Sequence, residues 1–184
     1  MKEILLLILG GVLANNYAFE KFLGVTPVLG YSRKGKKLLA MGLAVTVVML
    51  LTAAIAWPVK TLLDIYALGY LQILVYVALI LIVVYIVDLI AAAVMKERLG
   101  VYFPLIALNS AVLGLALENA SEGYGFGQAL AAALGVGLGF LAALFLMAGV
   151  NSRIAQKHVP AAFQGLPIQL LAASIVAMVL VAFK

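Results

Sequence analysis

The longest uninterrupted apolar runs constrain this chain more than any other feature. Residues 38–57 hold no charged side chain, over about the 20 residues that a helix needs to cross a hydrocarbon layer of about 30 Å. Five further runs lie at about 4–31, 70–94, 100–118, 127–150 and 166–183. Their apolar residues are continuous rather than alternating, and rich in Ala, Leu, Val and Gly. That pattern suits helices and argues against a membrane barrel. With 67% hydrophobic and 10% charged residues among 184, nothing remains for a soluble domain. The first run lacks a small-residue cleavage site with a polar boundary after it, so it reads as a span rather than a signal peptide. The expected fold is all-α and integral to the membrane, six transmembrane helices in a single domain, 1–184.

The first run is too long and too polar for one straight span. A helix over its 28 residues would extend about 42 Å, and it is interrupted by Asn15, Asn16, Glu20 and Lys21, then by Pro27 and Gly30. A broken or half helix is expected there. The fourth run has the same ingredients, with Pro104 early, Asn109 and Ser110 central, and Gly114 after them. The phrases Thr26-x-Val28-Leu29-Gly30 and Ser110-x-Val112-Leu113-Gly114 are near copies. Each broken run opens a group of three spans, about 1–95 and about 100–184. Three spans per group force the copies into opposite orientations, which is an inverted repeat whose site is expected at mid-depth, where broken helices meet.

Basic residues set the topology. Arg33, Lys34, Lys36, Lys37, Lys96, Arg98, Arg153 and Lys157 all fall in loops one, three and five. These loops are expected in the cytoplasm and both termini outside, with Glu118 and Glu122 on the outer side. The net charge of +5 is thereby a topology signal, not a nucleic-acid surface, since no basic helix is interleaved with aromatics. The chain has no cysteine, so it offers neither disulfides nor thiolate ligands.

Three stretches carry a family resemblance: NNYAFEKFLGVTPVLGYSRK, FPLIALNSAVLGLAL and VPAAFQGLPIQLLAASIVAM. They resemble signature regions of the A subunit of the Rnf ion-translocating electron-transport complex, whose relative is the E subunit of the sodium-pumping NADH:quinone oxidoreductase. The resemblance runs over nearly the whole chain. It implies a bacterial or archaeal plasma-membrane subunit, not catalytic alone, supporting transmembrane electron transfer coupled to Na+ or H+ transport. It also implies partners: a homologous sister subunit of opposite orientation, flavin and iron–sulfur subunits, and the lipid bilayer. In the family the two sisters share a [2Fe–2S] cluster through two cysteines each, one per repeat. Those cysteines fall on Thr26 and Ser110 here. Hydroxyls neither ionise near neutral pH nor offer the softness of thiolate, so no cofactor or metal is expected to bind through this chain.

Other polar residues qualify as an ion path or interface: Asn15, Asn16, Glu20, Asp88 and Asn109. Asp88 lies about 10 Å of helix rise inside Lys96, where a carboxylate faces protein or water. The three asparagines are expected mainly to cap backbone groups freed at the breaks. His158, alone in a loop, is expected to be solvated. Gly135, Gly137 and Gly139 are expected to let helices pack closely, and Tyr76 and Tyr85 to pack or to serve an interface. Two rival readings use the same scaffold. One is a stand-alone small transporter with Asn15, Thr26, Asn109 and Ser110 lining a polar site. The other is a cysteine-free structural or engineered version without redox function.

Overall fold

A computed structural model describes residues 2–30, 35–95, 102–154 and 159–181. Eight α-helices are ordered along them: α1 Lys2–Leu9, α2 Val25–Gly30, α3 Gly35–Ile65, α4 Gln72–Met95, α5 Tyr102–Ala107, α6 Ser110–Ser121, α7 Phe126–Arg153 and α8 Leu166–Val181. A π-helical turn, Gly10–Ala14, extends α1, and short 3₁₀ turns precede α4 and α8. No strand occurs among the described residues. Among the described residues four helical stretches are long and apolar enough to cross a membrane: Leu38–Ile65, Gly69–Ala93, Phe103–Ser121 and Phe126–Arg153; Leu166–Leu180 is a shorter apolar helix. Leu74, Ile82, Tyr85, Ile175 and Met178 are exposed. Side chains of this kind turned outward on helices apolar all round are what a lipid solvent selects.

Runs one and four are broken, as expected. In the first, α1 and its π turn end at Asn15, and a nonhelical excursion over 16–24 precedes α2. In the fourth, α5 stops at Ala107 and α6 restarts at Ser110. The second run differs from its expected end at residue 57: α3 continues through Pro58 to Ile65. The proline removes one ladder donor, which a membrane helix tolerates. The exposed Lys60–Asp64 pair, 2.7 Å apart at i,i+4, sits on the added turns, and such pairs support a helix modestly.

Packing relates the two halves. The largest helix contact joins α3 and α7, the corresponding long helices. They run antiparallel: Gly42 meets Leu144 and Thr46 meets Gly137, while Trp57 stacks edge-on against Phe126. The broken run of each half packs on the long helix of the other, α1 and α2 on α7, and α5 and α6 on α3. The last helix follows the same exchange, α4 touching α5 and α6, and α8 touching α2 and the π turn. The start of α3 and the ends of α4 and α7 consequently share one end of the bundle. Gly35, Met95 and Arg153 there border the basic loops; Arg33, Lys34, Lys96, Arg98, Lys157 and His158 lie outside the described residues. The opposite end carries Trp57, Tyr66, Tyr70, Tyr124 and Phe126, an aromatic set of the kind found at membrane–water boundaries.

The glycines of α7 make these approaches possible. A Cβ on Gly135 would lie 2.8 Å from the Leu7 carbonyl oxygen, and one on Gly137 would lie 2.6 Å from Thr46 Cγ2. Gly139 faces the Gly11 carbonyl more closely still. Gly135 and Gly139 thus seat α1 and its π turn, while Gly137 seats α3. Tyr76 is 1% exposed and packs with Ala56, Leu63, Ala116 and Ala120, whereas Tyr85 is 57% exposed.

Candidate functional site

The site begins with Asn16. The π turn closes through Asn15, whose backbone N–H donates to the Gly10 carbonyl at 2.7 Å. Asn16 is buried; its Nδ2 donates to the Gly139 carbonyl at 2.8 Å, and its Oδ1 accepts from the Ala18 N–H at 3.1 Å. One side chain therefore satisfies a donor freed where the helix ends and ties the break to the middle of α7. α1 runs alongside α7 in the same direction, Leu7 and Ile8 meeting Gly135 and Val12 meeting Gly139.

From Asn16 the chain turns back along α6. Tyr17 donates its hydroxyl to Glu118 Oε2, Lys21 pairs with the same oxygen, and Leu23 lies against Gly114. Lys21 Nζ also sits 4.5 Å from the Tyr17 ring centroid, within range of a cation–π contact. At Gly24 the chain regains mid-depth. Gly24 has φ +71°, and a Cβ there would lie 2.7 Å from Asn109 Oδ1 and 2.8 Å from Phe140. Only glycine meets both demands.

The two half-helices start from this point. The Gly24 N–H donates to Ser110 Oγ at 2.9 Å. Val25 opens α2, which leads toward the basic end, and Ser110 opens α6, which leads toward the aromatic end. Asn109 is the N-cap of α6, its Oδ1 accepting from the Ala111 N–H at 2.9 Å; its buried Nδ2 has no partner. Thr26 and Ser110 are both exposed on the lateral surface of the bundle. The repeated phrase therefore marks two helix starts, in contact and pointing apart, with their hydroxyl residues open to whatever lies beside the protein.

The remaining candidates scatter. Asn15 is exposed and lines a cleft with Tyr17, Glu118, Asn119 and Tyr124. Glu20 is exposed in the excursion, and Asp88 is half-exposed on α4. Glu118, expected only to lie on the outer side, and Asn119, not singled out from the sequence, tie the excursion and the start of α7 to α6. Opposite charges at Lys21 and Glu118, each within an apolar run, were the available signal, because isolated intramembrane charges seek one another. In the α6–α7 turn, burial and then the nearby Glu122 and Glu118 carboxylates push the Tyr124 phenol up.

An all-helical, multi-pass membrane protein with two broken helices meeting at mid-depth is the class these features define. Residues 4–184 match the family described as Rnf-Nqr subunit, membrane protein, and the chain belongs to that family. It is 42% identical to the A subunit of the ion-translocating oxidoreductase complex of Syntrophotalea carbinolica, covering 100% of this chain and 97% of that protein. It is 37% identical to the A subunit of the Na(+)-translocating ferredoxin:NAD(+) oxidoreductase complex of Acetobacterium woodii, covering 98% and 96%. The corresponding protein of an Azoarcus species is 39% identical, over 100% and 97%. A [2Fe–2S] cluster, implied by the resemblance, does not fit the residues at the junction. The chain has no cysteine, and Thr26 and Ser110 present neutral hydroxyls, one already accepting the Gly24 N–H. Nor do the described residues gather three or more His, Asp or Glu side chains around a point.

Proposed function

We propose that this chain is a membrane subunit of an Rnf-type ion-translocating oxidoreductase complex, and that the face carrying Thr26 and Ser110 receives a homologous sister subunit. Family membership and relatives matching over nearly their full length support the first part. The observation that carries the second is the Gly24–Ser110 contact. It joins two helix starts at mid-depth, with the Thr26 and Ser110 hydroxyls on an open lateral surface and the capping Asn109 buried behind them. Exposed polar groups at that depth are costly against lipid and suit a protein neighbour.

In this reading the complex lies in the plasma membrane of a bacterium or archaeon, with both termini of this subunit outside. Flavin and iron–sulfur subunits complete the electron path, and the coupled ion is Na+ or H+. This chain supplies scaffold and interface, and no cluster ligand. Asp88, Asn15, Asn16, Glu20 and Asn109 belong to the interface or the ion path. Asp88→Asn is expected to lower assembly or ion transport while leaving the fold intact.

Co-purification tests the reading. A tagged chain co-expressed with the other subunits of such a complex should bring the sister and flavin subunits with it. A chain that runs alone or as a homodimer in detergent would overturn the assignment in favour of a stand-alone transporter or a purely structural protein. Iron content of the purified pair separates scaffold from cluster ligand. None should be bound through this chain, and Thr26→Cys with Ser110→Cys should add iron when the sister supplies its own thiolates.

A further inference from the structure

The hairpin of α3 and α4 rises above the rest of the bundle at its aromatic end. Residues 38–57 hold no charge, and at about 1.5 Å per residue they cover about 30 Å, the whole hydrocarbon layer. Trp57 marks the edge of that span. Its ring meets Phe126 edge-on at 5.7 Å, and its Nε1 donates to the Tyr124 carbonyl at 3.2 Å, so the α6–α7 turn lies at the same level. The helix does not stop there. It runs on from Pro58 to Ile65, which adds about 12 Å. The headgroup zone is only about 5–8 Å deep on each side, so the tip of the hairpin stands clear of the bilayer, in water.

The tip is an ordered structure with two unlike faces. The Tyr66 and Leu68 N–H groups donate to the Leu62 and Leu63 carbonyls at 3.2 and 2.8 Å, which closes the turn. Ala67 takes a left-handed backbone there, φ +53°, where glycine is usual. Leu63 faces inward, to a small core with Ala56, Tyr76 and Ala120. Leu62, Ile65 and Tyr66, at i, i+3 and i+4, share another face, and Tyr70 follows across the turn. These four are 55%, 69%, 69% and 79% exposed. The counterpart helix of the second half, α7, ends instead on Asn151, Ser152 and Arg153. Apolar side chains at the α3 tip are therefore no requirement of a helix leaving the membrane.

Lipid does not reach this face, and water is a poor solvent for it. With about 150–250 Å² for a whole aromatic side chain and somewhat less for Leu or Ile, the four expose on the order of 500 Å². An apolar patch of that size on a protein in water marks an interaction site. A standard protein interface takes about 800 Å² from each partner, about 60% of it apolar, so the patch matches the apolar part of one side. Lys60 and Asp64, paired at 2.7 Å, give it a rim without net charge. Two parallel copies in one membrane would meet along their lateral faces. A contact confined to the part above the bilayer suits a partner that itself lies in water.

We propose that the tip of the α3–α4 hairpin docks a folded, water-soluble protein domain, which offers uncharged apolar pockets to Tyr66 and Tyr70. The turn holds both tyrosines in place before the partner arrives, which lowers the cost of binding. That this domain lies outside the cytoplasm, within the same assembly, rests on the complex-subunit reading above.

The test uses the tagged full chain co-expressed with the other subunits of such a complex. A photoreactive benzoyl-phenylalanine takes the place of Tyr70, and intact cells are irradiated. It should cross-link to one polypeptide, and mass spectrometry of the adduct should locate the link in a water-soluble domain. An adduct with lipid, with a second copy of this chain or with a membrane-spanning segment would overturn the proposal, as would no protein adduct. Ile65→Ser with Tyr66→Ser removes two anchors that lie outside the hairpin core. The melting midpoint in detergent should stay as in wild type, while the cross-link from position 70 should fall at least tenfold; an undiminished cross-link would equally overturn the proposal. The sister subunit binds elsewhere, at the Thr26–Ser110 face, and should co-purify with this variant as with wild type. A sister subunit retained without a tip cross-link sinks this inference alone, whereas a wild-type chain that brings no sister sinks the complex reading.

Discussion

Gly139 of α7 lies directly against the backbone carbonyl of Gly11, with no room between them for a side chain. Two helices approach this closely only where both lack a Cβ. The contact holds the first break at the middle of α7, where the Gly139 carbonyl accepts the Asn16 side chain at 2.8 Å.

Gly139→Ala and Gly135→Ala should each destabilise the protein by about 1–3 kcal/mol, the usual cost of overpacking a tight contact. Gly127→Ala is the control: nothing lies within 4 Å of a Cβ there, and alanine favours a helix by about 1 kcal/mol. Melting in detergent should show a lower midpoint for the first two and an equal or higher one for Gly127→Ala.

Gly24→Ala combines a left-handed backbone, φ +71°, with a Cβ 2.7 Å from Asn109 Oδ1. It should pull the Gly24 N–H away from Ser110 Oγ and cost about 2 kcal/mol or more, since strain and overpacking each contribute on the order of 1 kcal/mol. A disulfide trap reads the geometry directly. Thr26→Cys with Ser110→Cys should cross-link more slowly when Gly24→Ala is added; an unchanged rate would show that this glycine does not set the junction.

Asn16→Ala should lower stability by about 1–3 kcal/mol, because it leaves the buried Gly139 carbonyl and Ala18 N–H without their partner. Asn16→Asp should be at least as damaging: it keeps an acceptor for Ala18 but sets a carboxylate oxygen against a carbonyl. If Asn16→Asp melts like wild type, the buried side chain does not hold the break to α7.

Topology can be read without first removing cysteines, because the chain has none. Single cysteines at Arg153 and Tyr70, both exposed and at opposite ends of the bundle, should label from opposite sides in intact cells. Tyr70→Cys is expected to react with an impermeant reagent added outside, and Arg153→Cys only after permeabilisation. The reverse would invert the orientation that the basic loops imply.

Much of the architecture was legible in the residues. Runs of apolar side chains long enough to span lipid must be helical, because the bilayer offers unpaired backbone groups no other partner. Prolines and amides inside two of those runs marked the breaks, and Asn109 became the cap its residue type favours. The near-copy phrases at Thr26 and Ser110 located both half-helix starts. The end of α3 was misplaced because the charge-free run stops at residue 57, whereas the helix carries on through Pro58, Lys60 and Asp64 to Ile65.

Tertiary structure alone decided how these parts meet. Nothing local to Lys21 indicates that the excursion doubles back to Glu118. Nor does the GVGLG stretch reveal that Gly135 and Gly139 face α1 while Gly137 faces α3. That Thr26 and Ser110 end on the open surface, with Asn16 and Asn109 buried behind them, is equally a result of packing. The reason is physical. Transfer of a segment into lipid depends on its own composition, so each helix is written in its own residues. Which helix it touches depends on close contact between residues far apart in the chain, and that contact exists only once both have been folded against each other.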